Sequence, residues 1–251
     1  MRIIAVINQK GGVGKTTVTA NLGHALQKAG NKVMLIDMDP QGQLTTSLGI
    51  FKLPVHGVDS VLLDQASMKA VEIHTRENLV LVPAGSRLAE IEQLNDGGVS
   101  RAALLDTALQ QENLDYDYLL IDCPPASGLL SANAIMAADE VLIPVSGDYL
   151  SLNGVAHLLA TLKKFEPLRT KKLQQWIVMS RFHTRRRLSK EVRSKLLNHF
   201  PGKVLLTEIK EAAALAECPA VGRTIFEFRR TSHSAQSFSQ LAQDLTERRT
   251  Y

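Results

Sequence analysis

Short, almost wholly apolar runs recur along the chain: Ile3–Ile7, Val33–Ile36, Leu79–Val82, Tyr118–Ile121, Val141–Val145, Trp176–Met179 and Val204–Leu206. They have the length of strands and show little alternation, the pattern of strands covered on both faces. Helix-like stretches separate them, at 16–29, 87–94, 101–112, 129–137, 151–165, 189–199 and 233–247. Alternating strand and helix predicts an α/β fold: a doubly wound, mostly parallel sheet with helices on both faces. Gly97-Gly98 reads as a loop between two helices. No internal repeat, low-complexity tract or long linker divides the sequence, so residues 1–251 are expected to form one domain.

The first apolar run leads into Gln9-Lys10-Gly11-Gly12-Val13-Gly14-Lys15-Thr16-Thr17, and a helix-forming run, Val18 to Ala29, leaves it. This is the strand–loop–helix layout of a phosphate-binding loop. Gly11, Gly12 and Gly14 allow backbone N–H groups to close around a polyphosphate, and the following helix points its positive end at the same anion. Lys15 is placed to reach the terminal phosphates, and the Thr16 hydroxyl to ligate Mg²⁺. Gln9 stands where the usual pattern has its first glycine, and a second lysine, Lys10, precedes the glycines.

Two other strand ends carry carboxylates. The second run ends Ile36-Asp37-Met38-Asp39-Pro40-Gln41-Gly42, where the acids can orient water, approach a metal or simply build a turn. Beside a phosphate loop the functional reading is favoured, because ligands of such sheets sit at the carboxyl ends of the strands. The fourth run ends Ile121-Asp122-Cys123-Pro124-Pro125, a Walker B arrangement in which Asp122 would hold Mg²⁺ or its water shell. Cys123 reads as a small packing residue.

Composition narrows the classes. The 251 residues are 45% hydrophobic, enough for a sizeable core, yet no apolar run approaches the ~20 residues that span a bilayer. The start is a strand carrying Arg2 rather than a signal peptide. The two cysteines are far apart, which disfavours a disulfide scaffold and suggests the cytoplasm. The formal charge of +4 is uneven. Lys163 to Lys195 holds 12 Lys/Arg against two acids, a local +10, and the other residues hold 17 basic against 23 acidic, or −6. An acidic body with one basic region suggests a polyanion partner.

Together these motifs resemble the ParA/MinD family of deviant Walker ATPases, most closely the short ParA-type partitioning ATPases. Lys10-Gly11-Gly12-Val13-Gly14-Lys15-Thr16-Thr17, Asp37-Met38-Asp39-Pro40-Gln41-Gly42 and Ile121-Asp122-Cys123-Pro124-Pro125 carry the match. Asn133-Ala134, Ala137-Ala138-Asp139, Ile143-Pro144-Val145 and Glu217-Cys218-Pro219-Ala220-Val221-Gly222 support it. The resemblance implies a slow ATPase that uses ATP and Mg²⁺ and forms a homodimer with ATP sandwiched between protomers. It implies that residues 11–17, Val13 included, bind the nucleotide, and that Lys15 acts on phosphates in cis. Lys10 would reach the partner's nucleotide, and Thr17 would contact the α-phosphate. It further implies that Asp39 positions the attacking water and that Thr16, Asp39 and Asp122 serve the metal.

In the family the ATP dimer binds DNA without sequence specificity, and a ParB-like or adaptor protein stimulates hydrolysis. Arg185 matches a family arginine implicated in DNA contact, and Arg181, Arg186, Arg187, Lys190, Arg193 and Lys195 surround it. Lys190, Arg193 and Leu197 recur at helical spacing after Ser189, a candidate N-cap. Cations so arranged bind phosphates without reading bases. The implied role is positioning or segregation of a plasmid, chromosome region or protein assembly, in the cytoplasm at the nucleoid. One stretch departs. Where partitioning ATPases usually carry Pro-Arg-Asn-x-Arg before a Glu-Ala-Pro segment, this chain reads Lys210-Glu211-Ala212-Ala213-Ala214-Leu215-Ala216-Glu217-Cys218-Pro219, which predicts weaker DNA binding or greater reliance on Arg185–Arg187.

Three other readings are weaker. A MinD-like membrane ATPase needs an amphipathic tail, and Phe238, Leu241 and Leu245 read better as a core-packed helix, so no membrane partner is expected. A metallocluster protein needs cysteine ligands that Cys123 and Cys218 do not supply. An operator-binding relative would carry an N-terminal helix-turn-helix, for which no residues precede the first strand.

Overall fold

The apolar strands divide their side chains between two cores, as a sheet covered on both faces requires. In the computed structural model, which describes residues 1–94, 98–125, 128–183 and 186–251, the strands are β1 (Arg2–Val6), β2 (Val33–Asp37), β3 (Ile73–Arg76), β4 (Leu79–Val82), β5 (Tyr118–Asp122), β6 (Glu140–Ser146), β7 (Gln174–Phe182) and β8 (Val204–Lys210). Ile4 and Val6, Val33 and Leu35, Leu120, and Leu142 enter one core. Ala5, Met34 and Ile36, Leu119 and Ile121, and Val141 and Ile143 enter the other. The helices Lys15–Lys28 and His233–Glu247 cover the first face. Leu104–Gln111, Leu129–Ala137, Tyr149–Phe165 and Arg187–His199 cover the second.

The strands lie in the order β3-β4-β2-β5-β1-β6-β7-β8. Every neighbouring pair is parallel except β3 and β4. The expected doubly wound α/β class is therefore the observed one. Register aligns the carboxyl ends: Val6 pairs with Asp122, and Asp37 pairs with Asp122 from the other side. The loops leaving β1, β2 and β5 thus converge on one edge of the sheet.

Hydropathy misses β3, the antiparallel edge strand. Its Ile-His-Thr-Arg sequence is polar, as short edge strands often are, and it turns into β4 through Asn78 at φ +53°. The opposite edge is also covered: Thr250 bridges Leu205 antiparallel, and the Tyr251 amide donates to the Val204 carbonyl at 3.0 Å. Ser189 is not an N-cap. The helix begins at Arg187, and Ser189 is buried within it, donating to the Gly147 carbonyl at 3.3 Å. The last helix buries Phe238, Leu241 and Leu245 in the core, as its pattern predicts. Among the described residues no helix is long and apolar enough to cross a membrane.

Candidate nucleotide-binding site

The loop after β1 makes its turns at Gly12 and Gly14, with φ of +73° and +91°, a region that favours glycine. Gly14 directly precedes the helix Lys15–Lys28, whose first turn has no side-chain cap, which leaves its amides suited to an anion. A cavity of about 440 Å³ opens there. Gly11, Gly12, Gly14, Lys15, Thr16 and Thr17 line one end, with Asp39 and Pro125 beside them. Ile209, Ala212, Leu215 and Ala216 line the other end, giving an apolar wall. Lys210, Glu211, Ala212, Leu215 and Ala216, from the stretch that departs from the family pattern, therefore line this cavity.

Lys15 is 7% exposed, and its ammonium donates to the Lys10 carbonyl at 3.4 Å. Burial lowers its pKa, against the pull of Asp122, Cys123 and Asp39. Thr16 Oγ1 donates to Asp122 Oδ2 at 2.7 Å, and Thr19 Oγ1 lies 3.1 Å from Asp122 Oδ1. Asp122 itself is fully buried behind Thr16. Burial, and then the neighbouring Asp37, push its carboxyl up to about 8, with Thr16, Lys15 and Thr19 opposing.

The two carboxylates after β2 separate by role. Asp37 is fully buried and accepts from the Thr45 amide (2.8 Å), the Thr45 hydroxyl (2.7 Å) and the Asp39 amide (3.2 Å). It ties down the loop and does not face the cavity. Burial raises its pKa to about 6 against the hydrogen bonds from Thr45 and Asp39. Asp39 lines the cavity, and its Oδ1 accepts from the Gln41 amide at 3.0 Å.

The donor set fits Mg²⁺. Thr16 gives its proton to Asp122 and keeps its lone pairs for a cation, so the site offers oxygen ligands beside a polyphosphate cradle. Among the described residues no cluster of three or more His, Cys, Asp or Glu exists to form an all-protein cage. That suits an ion that keeps waters and takes phosphate oxygens.

Lys10 lies elsewhere. It borders an adjoining cavity of about 300 Å³ with Ser146, Gly147, Asp148, His183 and Arg186, and with Gly11, Gly12, Arg181 and Glu211, which line both cavities. Its ammonium pairs with Asp148, and its amide donates to Asn8 Oδ1 at 3.0 Å. Asn8 in turn donates to the Pro144 carbonyl at 2.7 Å. Asn8, Thr19, Thr45, Asp148, Ser180 and Glu211 all shape the site, and sequence reasoning misses them. Their partners are remote in the chain or lack a local pattern; only Asn8, between strand and loop, is adjacent to a motif.

The basic run does not form one surface. Arg181 turns to the loop, donating from Nη1 to the Gly12 carbonyl at 2.7 Å and from Nη2 to Glu211 at 2.7 Å. Arg186 and Lys190 are exposed, and Arg187 is exposed with its Nε 2.9 Å from Glu191. Arg193 bonds Glu208 at 2.8 Å, and its guanidinium lies 4.8 Å from the centre of the Tyr251 ring. Arg185 lies outside the described residues.

Comparison with known proteins places the chain in a family. The AAA domain family model matches residues 1–175. The chain is 38% identical over 247 residues to the sporulation initiation inhibitor protein Soj of Bacillus subtilis (strain 168), covering 97% of this chain and 98% of the relative. It is 36% identical to the chromosome-partitioning ATPase Soj of Thermus thermophilus, covering 99% and 96%. A crystal structure of cobyrinic acid a,c-diamide synthase from Mycobacterium smegmatis, with bound ATP analogue and magnesium, superposes with a TM-score of 0.83 at 32% identity, covering 98% and 95%. With its deviant phosphate loop, Walker B strand and near full-length similarity to Soj, the chain belongs to the ParA/MinD family of P-loop ATPases.

Proposed function

We propose that this ParA-like ATPase is a nucleotide-switched positioning protein. It forms an ATP-sandwich dimer, holds DNA non-specifically, and positions or segregates a cargo until a ParB-like or adaptor partner stimulates slow hydrolysis. One observation carries the reading: of the two loop lysines, Lys15 lines the nucleotide cavity and Lys10 does not. A cation beside the loop but outside its own cavity is suited to a nucleotide brought by a second copy, where it would link nucleotide state to association.

The cofactors are ATP and Mg²⁺. The amides of residues 11–17 and Lys15 cradle the phosphates, and Thr17 contacts the α-phosphate. Thr16 and Asp39 would hold Mg²⁺ or its waters when it binds, with Asp122 orienting the Thr16 hydroxyl. Bound Mg²⁺ neutralises phosphate charge. Asp39 holds the attacking water, with Gln41 fixing the carboxylate through its amide.

Arg186, Arg187 and Lys190 form the most open part of the DNA surface, with Arg185 beside them in sequence and Arg193 in reserve behind Glu208. Such contacts act on phosphates and are salt-sensitive. The protein acts at the nucleoid in the cytoplasm. DNA binding measured with ATP, with ADP and without nucleotide tests the switch, alongside light scattering for mass. Tight binding and a doubled mass are expected with ATP alone, and Lys10→Ala is expected to lose both. DNA affinity independent of nucleotide would overturn the proposal.

A further inference from the structure

Two successive residues at the end of β7 hold two successive carbonyls of the phosphate loop. Ser180 Oγ donates to the Val13 carbonyl at 2.6 Å, and Arg181 Nη1 donates to the Gly12 carbonyl at 2.7 Å. In a planar trans peptide the carbonyl and the next amide point in opposite directions. Drawing the Gly12 and Val13 carbonyls toward β7 therefore turns the Val13 and Gly14 amides away from it, toward the anion position.

Arg181 is also held in an uncommon backbone state, with φ +50°. A non-glycine residue there costs roughly 1 kcal/mol or more, and such strain persists where its surroundings over-determine it. The surroundings are visible: Glu211 accepts from Arg181 Nη2 at 2.7 Å and also pairs with His183. Arg181 and Glu211, like Gly11 and Gly12, line both the nucleotide cavity and the cavity that holds Lys10, so their pair lies where the two meet.

We propose that Arg181, held by Glu211, is a positioning residue of the nucleotide site rather than a DNA contact. It fixes the Gly12–Val13 peptide with its amide toward the phosphates. The proposal rests on the phosphate loop holding the nucleotide.

The test measures ATP·Mg²⁺ and ADP·Mg²⁺ affinity by calorimetry, and DNA affinity at saturating ATP. Arg181→Met keeps the volume and removes the donors. It is expected to weaken both nucleotides about tenfold, the scale of one charge-assisted hydrogen bond. It should raise KM with kcat unchanged, and leave the melting temperature of the nucleotide-free protein and DNA affinity at saturating ATP near wild type. Arg181→Lys, which keeps one donor and the charge, should recover most of the loss. Glu211→Gln should cost about threefold by loosening the arginine. Should Arg181→Met fail to fold, the Lys and Gln variants decide by the same measurements. Wild-type nucleotide affinity with weakened DNA binding in these variants would overturn the proposal and return Arg181 to the DNA surface. Lys15→Ala serves as the separate control: if it bound ATP normally, the phosphate-loop reading itself would fall.

Discussion

The loop leaving β1 and the basic chain around β7 lie at neighbouring places on the sheet but are built on different principles. The loop is a backbone device: its positive-φ glycines, the helix that follows and the strand before it place every donor within one turn of chain. The basic chain is a matter of composition, and the sheet divides it. β7, nine residues and about 30 Å long, puts Lys163, Lys164, Arg169, Lys171 and Lys172 at one end and Arg181, Arg186 and Arg187 at the other. Its members then do unrelated work. Arg169 covers the carbonyls of Ile135, Met136 and Ala138 at the end of the helix Leu129–Ala137. Arg181 braces the loop, Arg193 is held by Glu208 and Tyr251, and Arg186, Arg187 and Lys190 stay open. A charge count treats all of these alike, and the structure does not.

The sharpest way to break that contrast is to remove a cation that composition assigns to the basic region and structure assigns to a helix end. Arg169→Ala strips the cap from three helix-end carbonyls and should lower unfolding free energy by about 2 kcal/mol, with little change in DNA affinity. Lys171→Ala, exposed and 3.7 Å from Asp139, should stay within about 0.5 kcal/mol of wild type. Urea titrations compare the two, and equal effects would deny Arg169 its role as a cap.

The loop's side of the comparison has its own weak point. His24, on the helix leaving the loop, is buried with Nδ1 2.6 Å from Thr224 Oγ1, and burial pushes its pKa down to about 4. The unfolded chain takes up this proton below about 6.5, before the folded one does. Stability is therefore full above pH 6.5 and falls as pH drops toward 4, by about 2 kcal/mol between pH 7 and 5. His24→Gln should flatten that part of the urea-versus-pH curve, and an unchanged slope would assign the acid loss to other groups.

The smallest expected effect sharpens the DNA surface. Arg186→Ala with Arg187→Ala should weaken ATP-dependent DNA binding about tenfold and lower its salt slope by about two charges, with ATP affinity unchanged. Undiminished DNA binding would move the interface elsewhere on the protein.

The motifs made much of the fold and site legible. Leu79–Val82, 129–137 and 233–247 end where their patterns end, because a strand buried on two faces, a helix apolar nearly all round and a helix with a defined apolar stripe each leave a strong signal. β3 was hidden because an edge strand needs no apolar face of its own. Asp37 and Asp39 looked equivalent as a pair. Thr45, eight residues away, is what claims Asp37 for the loop's own structure and leaves Asp39 to the cavity.

By itself, then, the sequence determined the alternation of strand and helix, the glycine loop and the carboxylates at the strand ends, because apolar runs and backbone turns are local or periodic properties. Tertiary structure alone decided which charges are free to act. Arg181 belongs to the loop through Gly12, 169 residues away, and Lys10 belongs to a separate cavity through Asp148. A cation's partner is set by what the fold brings within hydrogen-bonding reach, and the one-dimensional order of residues does not carry that distance.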